Sequence, residues 1–231
     1  MQEPLLLIDE EFQGRPRKLL IQGNRNGFFY VLDRTNGQFL LGEPFVHQTW
    51  ADGMDDSGRP IVRPNTNPTE EGTDVCPAIR GATNWWATSY HPGTKLFYLL
   101  AHESCMTYTK NNREWERGRS WLGGTARLTE NSMNQKFIRA IDIQTGAIAW
   151  SYPQTGKAQT YSGVLSTDGD LVFFGEDSGA FAALDAETGE PLWHFQANQD
   201  WKASPMTYMV GGRQYVTIAS GLGFWTFSLP E

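Results

Sequence analysis

The sequence predicts an all-β protein assembled as about four blades of a β-propeller, each blade a four-stranded antiparallel sheet. Three observations predict it. First, a motif returns: Ala140–Trp150 reads AIDIQTGAIAW and Ala183–Trp193 reads ALDAETGEPLW, both A-x-D-x-x-T-G-x-x-x-W. A return after about 40–45 residues with strand–turn–strand content is the signature of propeller blades. Second, 24 glycines, nine tryptophans and 13% aromatic residues suit a loop-rich, aromatic β architecture. Third, no stretch sustains a 3.6-residue apolar period, so no long helix is predicted.

The motif can be read chemically. An apolar strand runs into Asp142 or Asp185, whose short side chain accepts bonds from nearby backbone amides and holds a turn. Gly146 and Gly189 then supply the positive φ of the turn tip. Trp150 and Trp193 close each copy with a ring large enough to dock on a neighbouring unit. A fainter copy, VLDRTNGQFLL, keeps Asp33 and Gly37 and puts Leu41 where tryptophan stands in the others.

In chain order, Arg17–Tyr30 reads as two strands around an Asn24-Arg25-Asn26-Gly27 turn. Residues 47–80 form a long connection of little periodicity, expected to be an ordered excursion over one face. Within it Asp52, Asp55 and Asp56 fail the EF-hand spacing and read as a solvated turn. Leu96–Ala101 reads as a strand. Met106–Gln135 is a second polar excursion. Lys136–Tyr152 and Asp170–Phe195 read as two blades, with hairpin turns at Asp168-Gly169 and Ser178-Gly179. Two more strands lie in the last nineteen residues, and the whole 1–231 reads as one domain.

Composition excludes some functions. A net charge of −7 with no basic stripe argues against nucleic acid and against an anionic membrane surface. No apolar run approaches a membrane span. The N-terminal MQEPLLLIDEEFQG lacks the marks of a secretory signal, and the chain reads as a fragment of a longer repeat protein. Cys76 and Cys105 are either a disulfide or two buried thiols. His47, His91, His102 and His194 show no metal-ligand spacing.

Four phrases in order, NRNGFFYVLDRTNG, CPAIRGATNWWATSYHP, SGVLSTDGDLVFFG and SPMTYMVGGRQYV, together with the repeated motif, resemble the C-terminal half of quinoprotein alcohol dehydrogenases. These are the enzymes that use pyrroloquinoline quinone (PQQ). The resemblance implies oxidation of a primary alcohol to an aldehyde by hydride transfer to the quinone. Arg25 then resembles the family's cation on the quinone oxygens, where a fixed charge stabilises the negative charge that builds up. The residues alone equally permit an arginine at a hairpin tip. Asn84 and Trp85 resemble cofactor-binding residues, an amide that both donates and accepts beside an indole that stacks. A turn asparagine before core aromatics is the alternative. Tyr161 stands where many members carry a tryptophan beside the quinone, and Trp225 is expected to line the pocket or to be a core residue.

Trp150 and Trp193 are expected to dock blades together. The resemblance also implies a Cys76–Cys105 disulfide, a periplasmic setting and a cytochrome c-type electron acceptor. A calcium or lanthanide ion is implied as well, with its ligands, and the catalytic base, supplied by the N-terminal half of the propeller. This chain is expected to be inactive alone, and its open radial faces to cause self-association. A non-enzymatic scaffold propeller is the competing reading. It has no use for the N-R-N-G and N-W-W phrases.

Overall fold

The computed structural model describes residues 3–130, 132–157 and 160–229. The chain winds into successive antiparallel meanders. The first sheet takes β1 (Leu6–Phe12), β2 (Arg15–Gly23), β3 (Phe28–Asp33) and β4 (Gln38–Pro44) in that order. A two-stranded ribbon follows, β5 (Ala51–Met54) with β6 (Pro60–Val62), and then β7 (Thr73–Val75). The second sheet orders β8 (Ser89–His91) and β9 (Leu96–Glu103) beside β12 (Gln135–Asp142) and β13 (Ile148–Pro153). Between its two halves the chain leaves as β10 (Met106–Lys110) and β11 (Gly124–Leu128), which pair with each other, and β10 pairs on its other side with β7. The two excursions thus form one small sheet, with Val75 opposite Met106.

The third sheet is β14 (Val164–Thr167), β15 (Leu171–Gly175), β16 (Ala180–Asp185) and β17 (Pro191–Gln196), in order. The fourth has three strands among the described residues, β18 (Met206–Val210), β19 (Arg213–Ser220) and β20 (Gly223–Phe227). The partial propeller expected from the sequence is therefore present, with two changes of boundary. The third sheet starts at Val164, before the Asp170 start read from the sequence. Lys136–Tyr152 is only the outer hairpin of the second sheet. Its inner strands precede the excursion, so the repeated motif marks the last hairpin of a sheet and not a whole blade.

The motif's geometry recurs. Asp142 Oδ1 accepts from Gln144 N at 2.8 Å and Thr145 N at 2.9 Å, and Gly146 N donates to Asp142 O. Asp185 does the same for Glu187, Thr188 and Gly189. Gly37, Gly146 and Gly189 all take φ near +75°, at 77°, 74° and 75°, where a Cβ is disfavoured. In each copy an irregularity follows the pair Val31–Leu41, Ala140–Trp150 or Ala183–Trp193.

Burial follows the meanders. Phe29, Val31, Phe97, Leu99 and Ile141 fill the space between the first two sheets. Tyr98, Ile138, Trp150, Val172 and Phe174 fill the next. Phe173, Phe181, Trp201 and Ile218 fill the third. Each interface buries residues from both neighbouring sheets, as expected of units without a complete core of their own.

Candidate functional site

In a four-stranded meander the turn between strands two and three emerges at the same end as the crossover to the next sheet. That places the β2–β3 turn, the β15–β16 turn and the crossovers near residues 76–88, 154–163 and 197–205 together. The contacts below show this end to be one connected cluster.

Arg25 sits at the β2–β3 tip. The tip is built by Gly27 N donating to Asn24 O at 3.0 Å and by Asn24 Oδ1 accepting from Asn26 N at 3.1 Å. Gly27 has φ 97°. The Arg25 guanidinium donates to Ile79 O, and its Nε lies 3.8 Å from the buried carboxylate of Glu3. The Arg25 carbonyl accepts from Ala82 N at 2.9 Å.

The loop that reaches Arg25 is tied down along its length. Cys76 and Cys105 form a disulfide. Ala78 N donates to Ser104 O at 2.8 Å, and His102 N to Ala82 O at 2.7 Å. Burial lowers the pKa of His102, whose Nε2 pairs with Asn134 Oδ1 at 3.0 Å. Asn84 Nδ2 donates to Arg80 O and its Oδ1 accepts from Trp85 N, both at 2.9 Å. Asn84 thus shapes its own turn with two of its four hydrogen-bonding sites. The Trp85 ring stands 52% exposed at this end, while its neighbour Trp86 is buried.

Tyr161 enters from the next crossover. Its ring stacks on Trp86, centroids 5.2 Å apart and 14° between planes. Arg80 Nη1 donates to its hydroxyl, and its amide donates to Trp201 O at 2.8 Å. Lys136 Nζ lies 4.6 Å from the ring centroid. Lys136 in turn bonds Asp177 Oδ1 and Thr160 O, each at 2.6 Å. Burial holds the Lys136 ammonium below its usual pKa and pushes Asp177 above the usual carboxylate range, each partly offset by the other.

Arg25, the Asn84–Trp85 turn and Tyr161 are therefore joined through Ala82, Arg80 and Trp86. Trp225 stands apart from them. It packs on Trp201 at 6.4 Å and Phe195 at 5.5 Å in the aromatic interface of the last two sheets, and touches the cluster through Trp201. Sequence reading missed Glu3, Arg80, Lys136 and Asp177. Only Asp177 carried a local signal, its place in a hairpin turn.

The donor set fits a flat, oxygen-rich anion. Two guanidinium groups, an amide and an exposed indole come from this one end of the sheets, and the buried Trp86 Nε1 and Thr83 Oγ1 have no hydrogen-bond partner. Arginine suits planar oxygen acceptors because its donors form a rigid fork. Among the described residues no group of three or more His, Cys, Asp or Glu lies together to hold a metal ion. Asp52 pairs with Arg63, and Asp55 caps Ser57 and Arg59. One open groove is bounded by Gln199, Lys202 and Ser220, and another lies in the excursions. The cations and aromatic faces lie at the cluster rather than in these grooves.

Comparison with known proteins finds relatives over nearly the whole chain. Residues 138–216 match the PQQ family model described as the glucose/ethanol/alcohol dehydrogenase β-propeller domain. The quinoprotein alcohol dehydrogenase PedH of Pseudomonas putida is 36% identical over 94% of this chain and 42% of that protein. The lanthanide-dependent methanol dehydrogenase of Methylorubrum extorquens is 33% identical over 96% of this chain and 39% of that protein. Among solved structures, the quinohemoprotein alcohol dehydrogenase of Comamonas testosteroni superposes with TM-score 0.83 at 34% identity, over 96% of this chain and 34% of that one. A europium-containing methanol dehydrogenase gives TM-score 0.83 at 28% identity over 96% of this chain and 40% of that one. The chain thus spans about two-fifths or less of the length of these relatives, while the match covers nearly all of the chain itself. This chain belongs to the quinoprotein alcohol dehydrogenase family.

Proposed function

We propose that the chain supplies one wall of the PQQ site of an alcohol dehydrogenase that oxidises a primary alcohol to its aldehyde. The observation that carries this is the convergence of Arg25, Asn84–Trp85 and Tyr161 at one end of the sheets. A scaffold propeller needs the repeated hairpins but has no need of a guanidinium on a stacked aromatic pair, with a second one at the neighbouring hairpin tip.

When bound, PQQ supplies the two-electron acceptor for the hydride leaving the alcohol carbon. The chain's own residues hold and polarise. Arg25 offers a fixed positive charge where negative charge develops, and its partners Ile79 O and Glu3 set its direction. Asn84 offers its remaining donor and acceptor sites, and Trp85 offers a planar face. Tyr161 closes one side, its ring fixed by Trp86. Trp150 and Trp193 serve as the joints that dock one sheet to the next. Trp225 backs the wall through Trp201.

The hydroxyl proton leaves to a base outside this chain, and the calcium or lanthanide ion that assists is liganded there too, in the N-terminal half of the propeller. The chain alone turns over no alcohol. Electrons pass onward to a cytochrome c-type acceptor. The disulfide suits an oxidising compartment, and we assign the periplasm.

The experiment is a PQQ titration of the protein expressed from its full reading frame, followed by tryptophan fluorescence. Arg25→Ala and Asn84→Ala are each expected to weaken binding by about tenfold or more, from loss of a hydrogen bond to a charged group worth ~1.5–3 kcal/mol. Unchanged affinity in both would overturn the assignment of the site.

A further inference from the structure

A buried ion pair, Lys136 with Asp177, is used by no chemistry described so far. Lys136 is the second residue of β12 in the second sheet, and Asp177 lies in the β15–β16 turn of the third. Their side chains are each 11% exposed and 2.6 Å apart. An isolated buried pair rarely stabilises a fold, because desolvation offsets the attraction. This pair is aimed at one residue. Lys136 Nζ donates to Thr160 O at 2.6 Å, and Asp177 Oδ1 accepts from Thr160 N at 3.2 Å. Both backbone groups of the residue before Tyr161 are thus gripped, one from each of two sheets.

The grip is braced. Asp177 N donates to Gln154 Oε1 at 3.1 Å, and Thr160 Oγ1 donates to Glu176 O at 3.1 Å. The same ammonium sits 4.6 Å from the Tyr161 ring centroid, close enough for a cation–π attraction. Three donors of Lys136 are therefore accounted for by an acceptor on each side and an aromatic face, which leaves the residue no role as a direct ligand.

We propose that Lys136 and Asp177 are positioning residues that clamp Thr160 and so hold the Tyr161 ring against Trp86 as a rigid wall of the quinone site. The clamp spans the joint between two sheets, so the wall keeps its place only while that joint is closed. This rests on the functional reading above in one respect, that Tyr161 faces the cofactor.

The test is amide hydrogen exchange together with PQQ titration, on protein expressed from its full reading frame. The variants are Lys136→Met, Lys136→Arg, Tyr161→Ala and the Lys136→Met/Tyr161→Ala double variant. Lys136→Met is expected to open the Thr160 and Tyr161 amides to exchange. It is also expected to weaken PQQ binding about tenfold, within the hundredfold that a misplacement of ~1 Å can cost. Lys136→Arg, which keeps charge and donors, restores most of both. In the Tyr161→Ala background Lys136→Met has no further effect on binding, as expected when one residue acts through another.

Unchanged exchange at Thr160 and Tyr161 in Lys136→Met overturns the clamp. So does a binding loss that persists undiminished in the Tyr161→Ala background. If Lys136→Met does not fold, Asp177→Ala, which removes the acceptor of the Thr160 amide, decides by the same exchange readout. Wild-type protein that binds no PQQ sinks the functional reading, and the exchange arm still decides the clamp.

Discussion

The amide of Ala82 donates to the carbonyl of Arg25 at 2.9 Å. This one bond fastens the disulfide-anchored loop to the tip of the first sheet's central hairpin. It depends on Gly81, which has φ +82° and whose Cβ, if present, would lie 2.8 Å from both Arg25 Cβ and Thr83 O. Gly81→Ala is therefore expected to lower stability by about 1–3 kcal/mol, through a strained backbone and a contact that must shift. It should also displace Arg25 and weaken PQQ binding. Gly14→Ala is the control, with φ +77° and nothing within 4 Å of an added Cβ. It should cost about 1 kcal/mol and leave binding alone. Urea melts and PQQ titrations of the two variants check this.

Trp150 and Trp193 occupy the same motif position and should respond differently. The Trp150 indole lies over Gly189 and donates to Ala186 O at 3.0 Å, both in the third sheet. Trp193 contacts Phe181 and Phe227 and is 40% exposed. Trp150→Ala is expected to cost about 3–5 kcal/mol, the range for a buried aromatic, and Trp193→Ala clearly less. Equal losses in denaturant unfolding would contradict the docking role given to Trp150.

The Cys76–Cys105 bridge closes a loop of sequence separation 29 that holds the Asn84 loop beside the end of β9. On the chain-entropy account, replacing both cysteines by alanine should cost about 3–4 kcal/mol. Because Ala78 N–Ser104 O and His102 N–Ala82 O remain, the loop should keep its place at low temperature. PQQ affinity of the double variant well below its melting temperature should therefore fall only slightly, while its melting temperature drops.

Turn carboxylates set the acid limit of stability. The Thr188 amide and hydroxyl and the Glu187 amide hold Asp185 below its ordinary pKa of 3.8. Folded Asp185 thus stays ionised where the unfolded chain takes up a proton. Its contribution is complete above about pH 3.8 and is lost as pH falls through the depressed folded value. Asp185→Asn keeps an acceptor but no longer titrates, so its stability should fall less steeply with acid than the wild type's. Parallel slopes in unfolding at descending pH would contradict this.

How much of this was legible in the sequence divides by range. The Asp–Thr–Gly turns and the Asn24–Gly27 hairpin were legible because each is closed by bonds within five residues. The motif even survives at Leu41, whose Cδ2 lies 3.2 Å from a Cβ built on Gly146, a place over the next sheet like that of Trp150 over Gly189. The blade boundary was misread because the 106–135 excursion separates β9 from β12, which pair directly, as Leu100 with Ile138. Arg25, Asn84 and Tyr161 are singled out in the sequence only through the ordered phrases that resemble a family. Arg80, Lys136 and Glu3 gave no signal, because their roles depend on contacts distant in sequence that no local pattern encodes. The apolar edge was legible in kind: Met206, Met209, Val210 and Phe224 on the fourth sheet are all exposed.

The most direct measurement is a crystal structure of the protein, expressed from its full reading frame and loaded with PQQ. The account predicts the quinone oxygens beside the Arg25 guanidinium, with Asn84 at the cofactor's polar edge and Tyr161 along one side. PQQ bound away from Arg25, or confined to the groove at Gln199 and Ser220, would contradict it.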